Sequence, residues 1–254
     1  MRIVACFKNT YDEQDIQITA KRELDPSAAG WIIGPYDLNA VETAVKLSEA
    51  DGAEVFALTA AGDVVDNAKQ RKSILARGPA TMYAVKDGRL DSADAYATSQ
   101  TLAAAVRKIG DVDLVIFGEG SGDMYAQQVG VMTGAMLGWP TVNAVSKISL
   151  DGGRAMLERT TPKGTEELSV TLPAAISVTS DINFSRIPSI KDILSAGKKP
   201  FTVWTLDQVG AAADSRNTTV SILAPAEVGR EKKVYEKADE ESLDAIAAVI
   251  KNKV

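Results

Sequence analysis

Residues 114–137 read Leu-Val-Ile-Phe-Gly-Glu-Gly-Ser-Gly-Asp-Met-Tyr-Ala-Gln-Gln-Val-Gly-Val-Met-Thr-Gly-Ala-Met-Leu, and this stretch decides the fold of the chain. The apolar run 114–117 predicts a buried strand, and the helical spacing of 124–137 predicts a helix after it. Between them the chain turns through small residues. In parallel α/β sheets such corners bind ligands, because free N–H groups at a helix start attract phosphate. A strand-to-helix turn that merely needs flexible residues would explain the same pattern.

The rest of the chain up to residue 140 repeats this alternation of strand and helix. Apolar runs predict further buried strands, at 2–7, 55–59 and 81–85. Helical spacing predicts helices between them, over 38–51, 64–77 and 93–109. Asp37 is a residue type that suits the N-cap of the first helix. No hairpin signal separates these elements, which is typical of a parallel sheet with helices on both faces.

A different pattern begins after Trp139-Pro140. Successive strands with turns between them are predicted, over 142–150, 154–160, 166–172 and 173–179. The last of these is expected to return to the main sheet. The sequence therefore predicts an α/β fold with a doubly wound, mostly parallel sheet, an antiparallel strand insertion after residue 140 and a C-terminal arm.

The chain is expected to divide near residue 206. Residues 1–206 are predicted to form a nucleotide-binding α/β domain. Residues 207–254 are polar and alanine-rich, with one helix at their end, and are too thin to fold alone. We predict an arm that packs on a partner. An ordinary terminal helix that folds back on its own domain is the alternative.

Charge and composition exclude several classes of function. The net charge of −6 argues against nucleic acid, whose binders need a basic face. No apolar run approaches the roughly 20 residues of a membrane span. The chain enters a strand at once with no signal peptide, and its one cysteine fits a reducing compartment, so a cytoplasmic protein is expected. The absence of histidine removes His-based nucleophile pairs, His general bases and zinc sites.

Standard nucleotide-binding motifs are absent as well. The sequence contains no G-x-x-x-x-G-K-[ST] and no G-x-G-x-x-G after its first strand. Strand ends and helix starts are instead expected to converge at one edge of the sheet, at 6–8, 34–37, 60–62 and 118–130. This convergence favours a nucleotide site over a plain turn, but it specifies no reaction.

One block of the chain has a specific order and spacing, from Glu158-Arg159 through Glu166-Glu-Leu-Ser-Val-Thr-Leu-Pro-Ala-Ala175 to Ile187-Pro188-Ser189-Ile190 and Lys198-Lys199. Further stretches are Arg2-Ile-Val-Ala-Cys-Phe-Lys8, Pro35-Tyr36-Asp37, Asp113-Leu-Val-Ile-Phe-Gly118, Gln128-Val-Gly130 and Leu137-Gly-Trp-Pro140. Over nearly its whole length the chain thus resembles the β (small) subunit of an electron transfer flavoprotein. Three stretches look most like the Fix-type branch, namely 12–16, 67–71 and 77–79.

The resemblance implies a fold, a partner and cofactors. Such a β subunit has an adenine-nucleotide-hydrolase-like fold and pairs with a larger α subunit that carries FAD. In the simple shuttle branch the β subunit holds a structural AMP. In the electron-bifurcating branch it holds a second FAD, which takes a hydride from NADH and passes one electron to each of two acceptors. Tyr36-Asp37 and Gln128-Val129-Gly130 resemble the bifurcating branch, so FAD is favoured over AMP in this subunit.

The family's nucleotide contacts fall on the strand ends and helix start named above. Carried over, they are Cys6, Gly34, Pro35, Tyr36, Asp37, Ala60, Glu119, Gly120, Ser121, Gly122, Asp123, Met124, Tyr125, Ala126, Gln127, Gln128, Val129 and Gly130. Asp123 is expected to cap the helix or to accept from the ribose, because a carboxylate would repel phosphate. Gln128 is a candidate donor to the nucleotide. A surface amide at Gln128 and a core filler at Cys6 are the alternatives.

The resemblance also implies redox partners. Arg186-Ile187-Pro188 fits the loop in which an exposed apolar residue anchors a partner dehydrogenase. Burial of Ile187 in its own domain is the alternative. Electrons would pass from NADH or a dehydrogenase to a downstream partner such as a quinone or ferredoxin. Because the flavin supplies this chemistry, no catalytic side chain and no metal ligand is predicted. An ATP-binding stress or sensor module and a Mg²⁺-dependent nucleotide hydrolase are the rival functions.

Overall fold

The structure of the chain is a computed structural model. It describes residues 1–226, 229 and 232–251. Its strands are β1 (Arg2–Cys6), β2 (Asn9–Tyr11), β3 (Gln17–Ile18), β4 (Leu24–Asp25), β5 (Trp31–Ile33), β6 (Glu54–Ala61), β7 (Thr81–Lys86), β8 (Leu114–Gly118), β9 (Thr141–Asp151), β10 (Arg154–Thr161), β11 (Gly164–Thr171), β12 (Ala174–Val178) and β13 (Phe201–Trp204). Its α-helices are α1 (Pro35–Asp51), α2 (Ala68–Leu75), α3 (Ala95–Ile109), α4 (Val129–Leu137), α5 (Ile190–Ala196), α6 (Leu206–Val209) and α7 (Glu240–Lys251). Short 3₁₀ helices span Asp63–Asp66 and Gly88–Ser92.

One large sheet organises the fold, with the strand order β11-β10-β9-β12-β8-β1-β6-β7-β13. Its neighbouring strands are parallel except where β10 pairs with β9 and β11. The predicted α/β class with a doubly wound, mostly parallel sheet is therefore confirmed. The strands after residue 140 extend this same sheet, because β9 pairs in parallel with β12. Near the N-terminus, β2 pairs with β5 and β3 with β4 in two small antiparallel sheets.

Helices cover both faces of the sheet because the strand side chains alternate between two apolar cores. In β1, Ile3 and Ala5 face the core that contains α1, α2 and α5. Val4 and Cys6 face the core that contains α3, α4 and α6. All four side chains are at most 3% exposed. A central strand that is buried on both faces offers only its ends and loops to a ligand.

The first helix begins before its predicted cap. Gly34 is the N-cap and Pro35 the first residue of α1, where proline fits because its missing N–H would have no partner in any case. Asp37 therefore lies inside the first turn, and the prediction that it caps the helix is wrong. The helix ends as predicted at Asp51, where Gly52 adopts a φ of +69°.

The helix after β8 is shorter than its sequence pattern predicts. Helical spacing runs over 124–137, but α4 begins only at Val129. Tyr125 and Gln127 have φ values of +44° and +56°, in the left-handed region that a right-handed helix excludes. Asp123 consequently lies outside the helix and does not cap it. Residues 119–128 form an irregular segment that we call the β8–α4 loop.

The segment predicted as one helix over 64–77 is divided in two. A 3₁₀ helix ends at Asp66, and the side-chain oxygen of the next residue, Asn67, accepts from the N–H groups of Lys69 and Gln70. The extended backbone of Asn67 stops the first helix, and its side chain caps α2. The break shortens the second helix but leaves the order of strands unchanged.

The chain after β13 follows the domain before it reaches α7. Ala211 is buried in the second core, and the carboxylate of Asp94 accepts from the N–H of Arg216 at 2.8 Å. By contrast, α7 has no buried side chain. The arm over 207–254 stays a prediction, and seven of its positions lie outside the described residues. Among the described residues, every helix falls short of the length and apolar character that crossing a bilayer requires.

Candidate functional site

The carboxyl ends of three central strands meet where the order of strands reverses. β1 pairs with β6 on one side and with β8 on the other. The chain leaves β1 towards α1 on one face of the sheet and leaves β8 towards α4 on the opposite face. In doubly wound sheets this switch point forms the crevice in which ligands bind. The predicted contacts Cys6, Ala60 and 119–130 lie at the ends of these three strands.

Asp37 ties the end of β1 to the end of β8. Its Oδ2 accepts from the backbone N–H of Lys8 at 2.7 Å, and its carboxylate also accepts from the backbone N–H of Gly118. Burial raises the pKa of Asp37 from 3.8 to about 7, because the loss of water outweighs these two hydrogen bonds. Burial, and secondly the charge of Asp37, raise the pKa of the Cys6 thiol. Burial therefore favours the neutral form of each group more than water does.

We expect Asp37 to make the stability of the fold depend on pH. The pKa of its carboxyl group is about 7 in the folded chain and 3.8 when the group is fully exposed to water, so the folded state binds the proton more tightly. The stability that the protonated carboxyl group gives to the folded state is complete at pH values below the lower pKa. It is lost as the pH rises through the higher pKa. The free energy of unfolding should fall by about 2–4 kcal/mol over that range. Urea denaturation of the wild type and of Asp37→Asn at several pH values measures this fall as the difference between the two. A difference that does not change with pH would contradict the expectation.

Glycine lets β8 lie directly against the start of α1. A Cβ atom placed on Gly118 would be 2.7 Å from the carbonyl carbon of Tyr36 and 2.8 Å from Oδ1 of Asp37. Real Cβ atoms do not come so close to backbone, so no larger residue fits without moving the helix. At Gly122 the nearest atom is Cδ of Pro35 at 3.4 Å, which is an ordinary contact. The approach at Gly118 is therefore required by packing, whereas the one at Gly122 is not.

Tyr125, in the β8–α4 loop, covers the place where β8 lies against the start of α1. Its ring centroid lies 5.2 Å from that of Tyr36, and its ring would lie 2.5 Å from a Cβ atom on Gly120. Its hydroxyl group lies close to the side chains of Glu119 and Gln127. A φ of +44° is unfavourable for a bulky residue. These contacts therefore maintain a loop conformation that the local sequence does not favour.

A single ion pair joins the end of β1 to the β8–α4 loop. Nζ of Lys8 lies 2.6 Å from Oδ2 of Asp123, and the two side chains are 50% and 40% exposed. The other carboxylate oxygen of Asp123 accepts from the N–H of Met124 at 2.8 Å. Partial burial opposes ionisation, but hydrogen bonds from Lys8 and Ser121 keep the pKa of Asp123 below its usual value. The charge of Asp123 is thus directed at Lys8 and not at the helix.

The start of α4 completes the crevice with N–H groups. Within the described chain the amides of 126–129 donate no hydrogen bond, and the first amide of this turn to do so is that of Met132, to the carbonyl of Gln128. Free N–H groups at a helix start attract phosphate. Gly130 is buried, and a Cβ atom there would lie 2.4 Å from Oγ of Ser177, so this glycine serves helix-on-sheet packing. With a cation, free amides and an exposed loop, these residues could hold a phosphate group.

The remaining predicted contacts lie along the exposed part of the loop. The side chains of Met124, Ala126 and Gln128 face solvent, and Met124 is 58% exposed. No hydrogen bond or ion pair joins these three side chains to the rest of the described chain. Their contacts with a nucleotide, including the donor role of Gln128, stay predictions.

A separate cavity of about 560 Å³ lies beside the end of β6. Its lining comprises Tyr11, Trp31, Asp63, Val64, Asn67 and Asp91. The rings of Tyr11 and Trp31 stack on each other at 4.0 Å. None of the predicted nucleotide contacts lines this cavity, so it is not part of the predicted site.

A comparison with protein families found a match for this chain. Residues 23–209 match the electron transfer flavoprotein domain. The matched part covers more than half of the chain and contains α1, β8 and the β8–α4 loop. The chain belongs to the electron transfer flavoprotein family. The crevice at the switch point is therefore the candidate nucleotide site of an electron transfer flavoprotein domain.

Arg186-Ile187-Pro188 is the segment of this electron transfer flavoprotein that was predicted to contact a partner. Ile187 is its exposed tip, and Arg186 is its base, which is bound to the domain. The side chain of Ile187 is 94% exposed, so it is not buried in its own domain. The guanidinium of Arg186 instead binds inward, with Nε 2.7 Å from Oε2 of Glu42 and Nη1 2.8 Å from Oε1 of Glu49. These carboxylates raise the pKa of Arg186. Arg186 is thus engaged within the domain, while Ile187 is free to contact a partner.

Several residues of this region were not named as contacts from the sequence. Lys8 lies in the strand end 6–8 that was predicted to converge on the site, and a charged residue directly after a buried strand is the signal that could have singled it out. Glu42 and Glu49 are seven residues apart on α1 and share one face of it. Their partner Arg186 is 144 residues away from Glu42 and lies in no local pattern. Only the fold brings these charges together.

Proposed function

We propose that this chain is the β (small) subunit of a Fix-type electron transfer flavoprotein and that it binds FAD at the switch point between β1 and β8. In this proposal it pairs with a larger α subunit that carries a further FAD. Together they relay electrons from NADH or a dehydrogenase to a downstream acceptor. The observation that carries the proposal is the crevice in which Lys8, the first turn of α1 and the β8–α4 loop meet.

The residues of the crevice suit binding and orientation. Lys8 and the amides of 126–129 would hold the phosphates, and the small residues Cys6 and Ala60 would leave room for a flat adenine at the strand ends. When bound, a flavin supplies hydride and single-electron transfer. The protein then has to position the group and exclude competing reactions. The buried, neutral thiol of Cys6 suits such a passive role.

The described part of the C-terminal arm has exposed apolar side chains, which supports the proposal of a partner subunit. α7 presents its large apolar side chains to solvent, at Leu243, Ile246, Val249 and Ile250, with exposures between 40% and 58%. An amphipathic helix with no buried residue is the usual form of a segment that docks on another surface. We infer that the α subunit covers this helix. Ile187, exposed and preceded by a fixed arginine, would contact the partner dehydrogenase.

Cofactor content tests this proposal directly. We expect two FAD per α/β heterodimer after co-expression and gentle purification, and we expect NADH to reduce them under anaerobic conditions. One FAD with one AMP and no response to NADH would contradict the bifurcating role and leave a simple electron shuttle. A chain that binds ATP by itself and forms no complex would contradict the subunit assignment and favour an ATP-binding sensor module.

A further inference from the structure

We propose that Lys8 binds the phosphate of the bound adenine nucleotide. When no nucleotide is present, the ammonium group of Lys8 forms an ion pair with Asp123 instead. The proposal rests on the nucleotide site proposed above and names a residue of that site that the resemblance did not. It predicts an exchange of partners, in which the ammonium group moves from a carboxylate of the β8–α4 loop to a phosphate.

The backbone of Lys8 is fixed while its side chain is not. Its N–H donates to Oδ2 of Asp37 at 2.7 Å, and its carbonyl accepts from the N–H of Gly34 at 3.0 Å. The ammonium group has only one partner in the described chain, Asp123. Lys8 can therefore turn towards a ligand in the crevice without any change in β1 or α1.

The other basic side chains near this edge of the sheet pair with carboxylates outside the β8–α4 loop. Lys86, at the end of β7, contacts Asp63 at 3.0 Å and Asp66 at 2.6 Å. Arg89 pairs with Asp87 at 2.9 Å. The β8–α4 loop contains no lysine or arginine. Lys8 is thus the cation that the described chain places at the end of β1, where the crevice lies.

The ion pair is suited to exchange. Both side chains are about half exposed, and exposed pairs of this kind are weak because water and salt screen them. The phosphate of AMP and the diphosphate of FAD as a whole each carry more negative charge than a carboxylate and offer more acceptor oxygens. The β8–α4 loop also carries the carboxylate of Glu119, which would repel a phosphate that no cation neutralised. Lys8 therefore has a stronger partner in the phosphate than in Asp123.

Comparing AMP with adenosine isolates the contribution of the phosphate. We would measure both dissociation constants by calorimetry on the whole chain and on the variants Lys8→Met, Lys8→Arg and Asp123→Asn. Lys86→Met serves as the control, because it removes a similarly paired lysine from a neighbouring strand end. Lys8→Met should weaken AMP binding by about 10-fold or more, as expected for a lost charge-assisted hydrogen bond. Adenosine binding should stay within about 2-fold.

The other variants separate this role from a structural one. Asp123→Asn should tighten AMP binding by about 3-fold or more, because it frees Lys8 and removes a negative charge. Lys8→Arg should retain the preference for AMP, and Lys86→Met should change neither ligand. Equal weakening of AMP and adenosine by Lys8→Met, or weaker AMP binding by Asp123→Asn, would overturn the role of Lys8 and leave the nucleotide site intact. A wild-type chain that binds neither ligand would overturn the nucleotide site, and with it this proposal.

Discussion

Replacing Arg186 with methionine is expected to lower the free energy of unfolding by about 2–4 kcal/mol. The guanidinium contacts both oxygens of Glu42, at 2.7 and 3.1 Å, and the side chain of Glu42 is only 5% exposed. Methionine would leave that carboxylate buried without a cation, which costs far more than the loss of a surface pair. Urea denaturation of the purified chain measures the change.

A second carboxylate on the same arginine provides the control. Glu49 pairs with Arg186 at 2.8 Å, but its side chain is 58% exposed. Glu49→Gln should therefore cost less than about 1 kcal/mol. Adding Glu42→Gln to Arg186→Met should recover part of the loss, because the buried charge is then gone. Equal costs for Arg186→Met and Glu49→Gln would show that burial of Glu42 is not the cause.

The same ion pairs bear on partner binding. Arg186 directly precedes the exposed Ile187 and joins this segment to α1 through its backbone N–H as well as its guanidinium. A fixed base lowers the ordering cost when an apolar tip enters a partner's pocket. Arg186 is therefore better regarded as a positioning residue than as a partner contact. This refines the prediction that Arg186, Ile187 and Pro188 act together at the surface.

Gly118→Ala is expected to disrupt the crevice itself. The added methyl group would lie 2.7 Å from the carbonyl carbon of Tyr36, and backbone at that distance has to move. We expect a loss of about 1–3 kcal/mol in the free energy of unfolding, as for other overpacked sites. We also expect adenine-nucleotide binding to weaken by about 10-fold or more, because the displaced helix start carries the predicted contacts.

Gly122→Ala is the matched control for this substitution. It adds the same methyl group to the same loop region, where the nearest atom is 3.4 Å away. Neither glycine has a left-handed φ, so contact alone distinguishes them. Gly122→Ala should change stability by less than about 0.5 kcal/mol. Similar losses of stability from the two substitutions would show that the close approach of β8 to α1 is unimportant.

Much of the fold was predictable because it depends on local patterns. Buried strands are continuous apolar runs, and the alternation of strands with helices up to residue 140 leaves few arrangements other than a parallel sheet. The helix starts failed for an equally local reason. Apolar spacing does not report backbone handedness, so the left-handed residues Tyr125 and Gln127 were hidden inside a helical pattern. At the start of α1, Pro35 outweighed Asp37 as the signal for the first turn.

By itself, then, the sequence determined the class of fold, the strand ends at which a site is predicted, and the family resemblance. Only the tertiary structure decided which charges meet. Lys8 pairs with Asp123 over 115 residues of chain, and Arg186 with Glu42 over 144. Asp37 became a buried link between two strands instead of a helix cap. The strength of such contacts depends on distance and burial in space, and neither quantity is written in the spacing of residues along a chain.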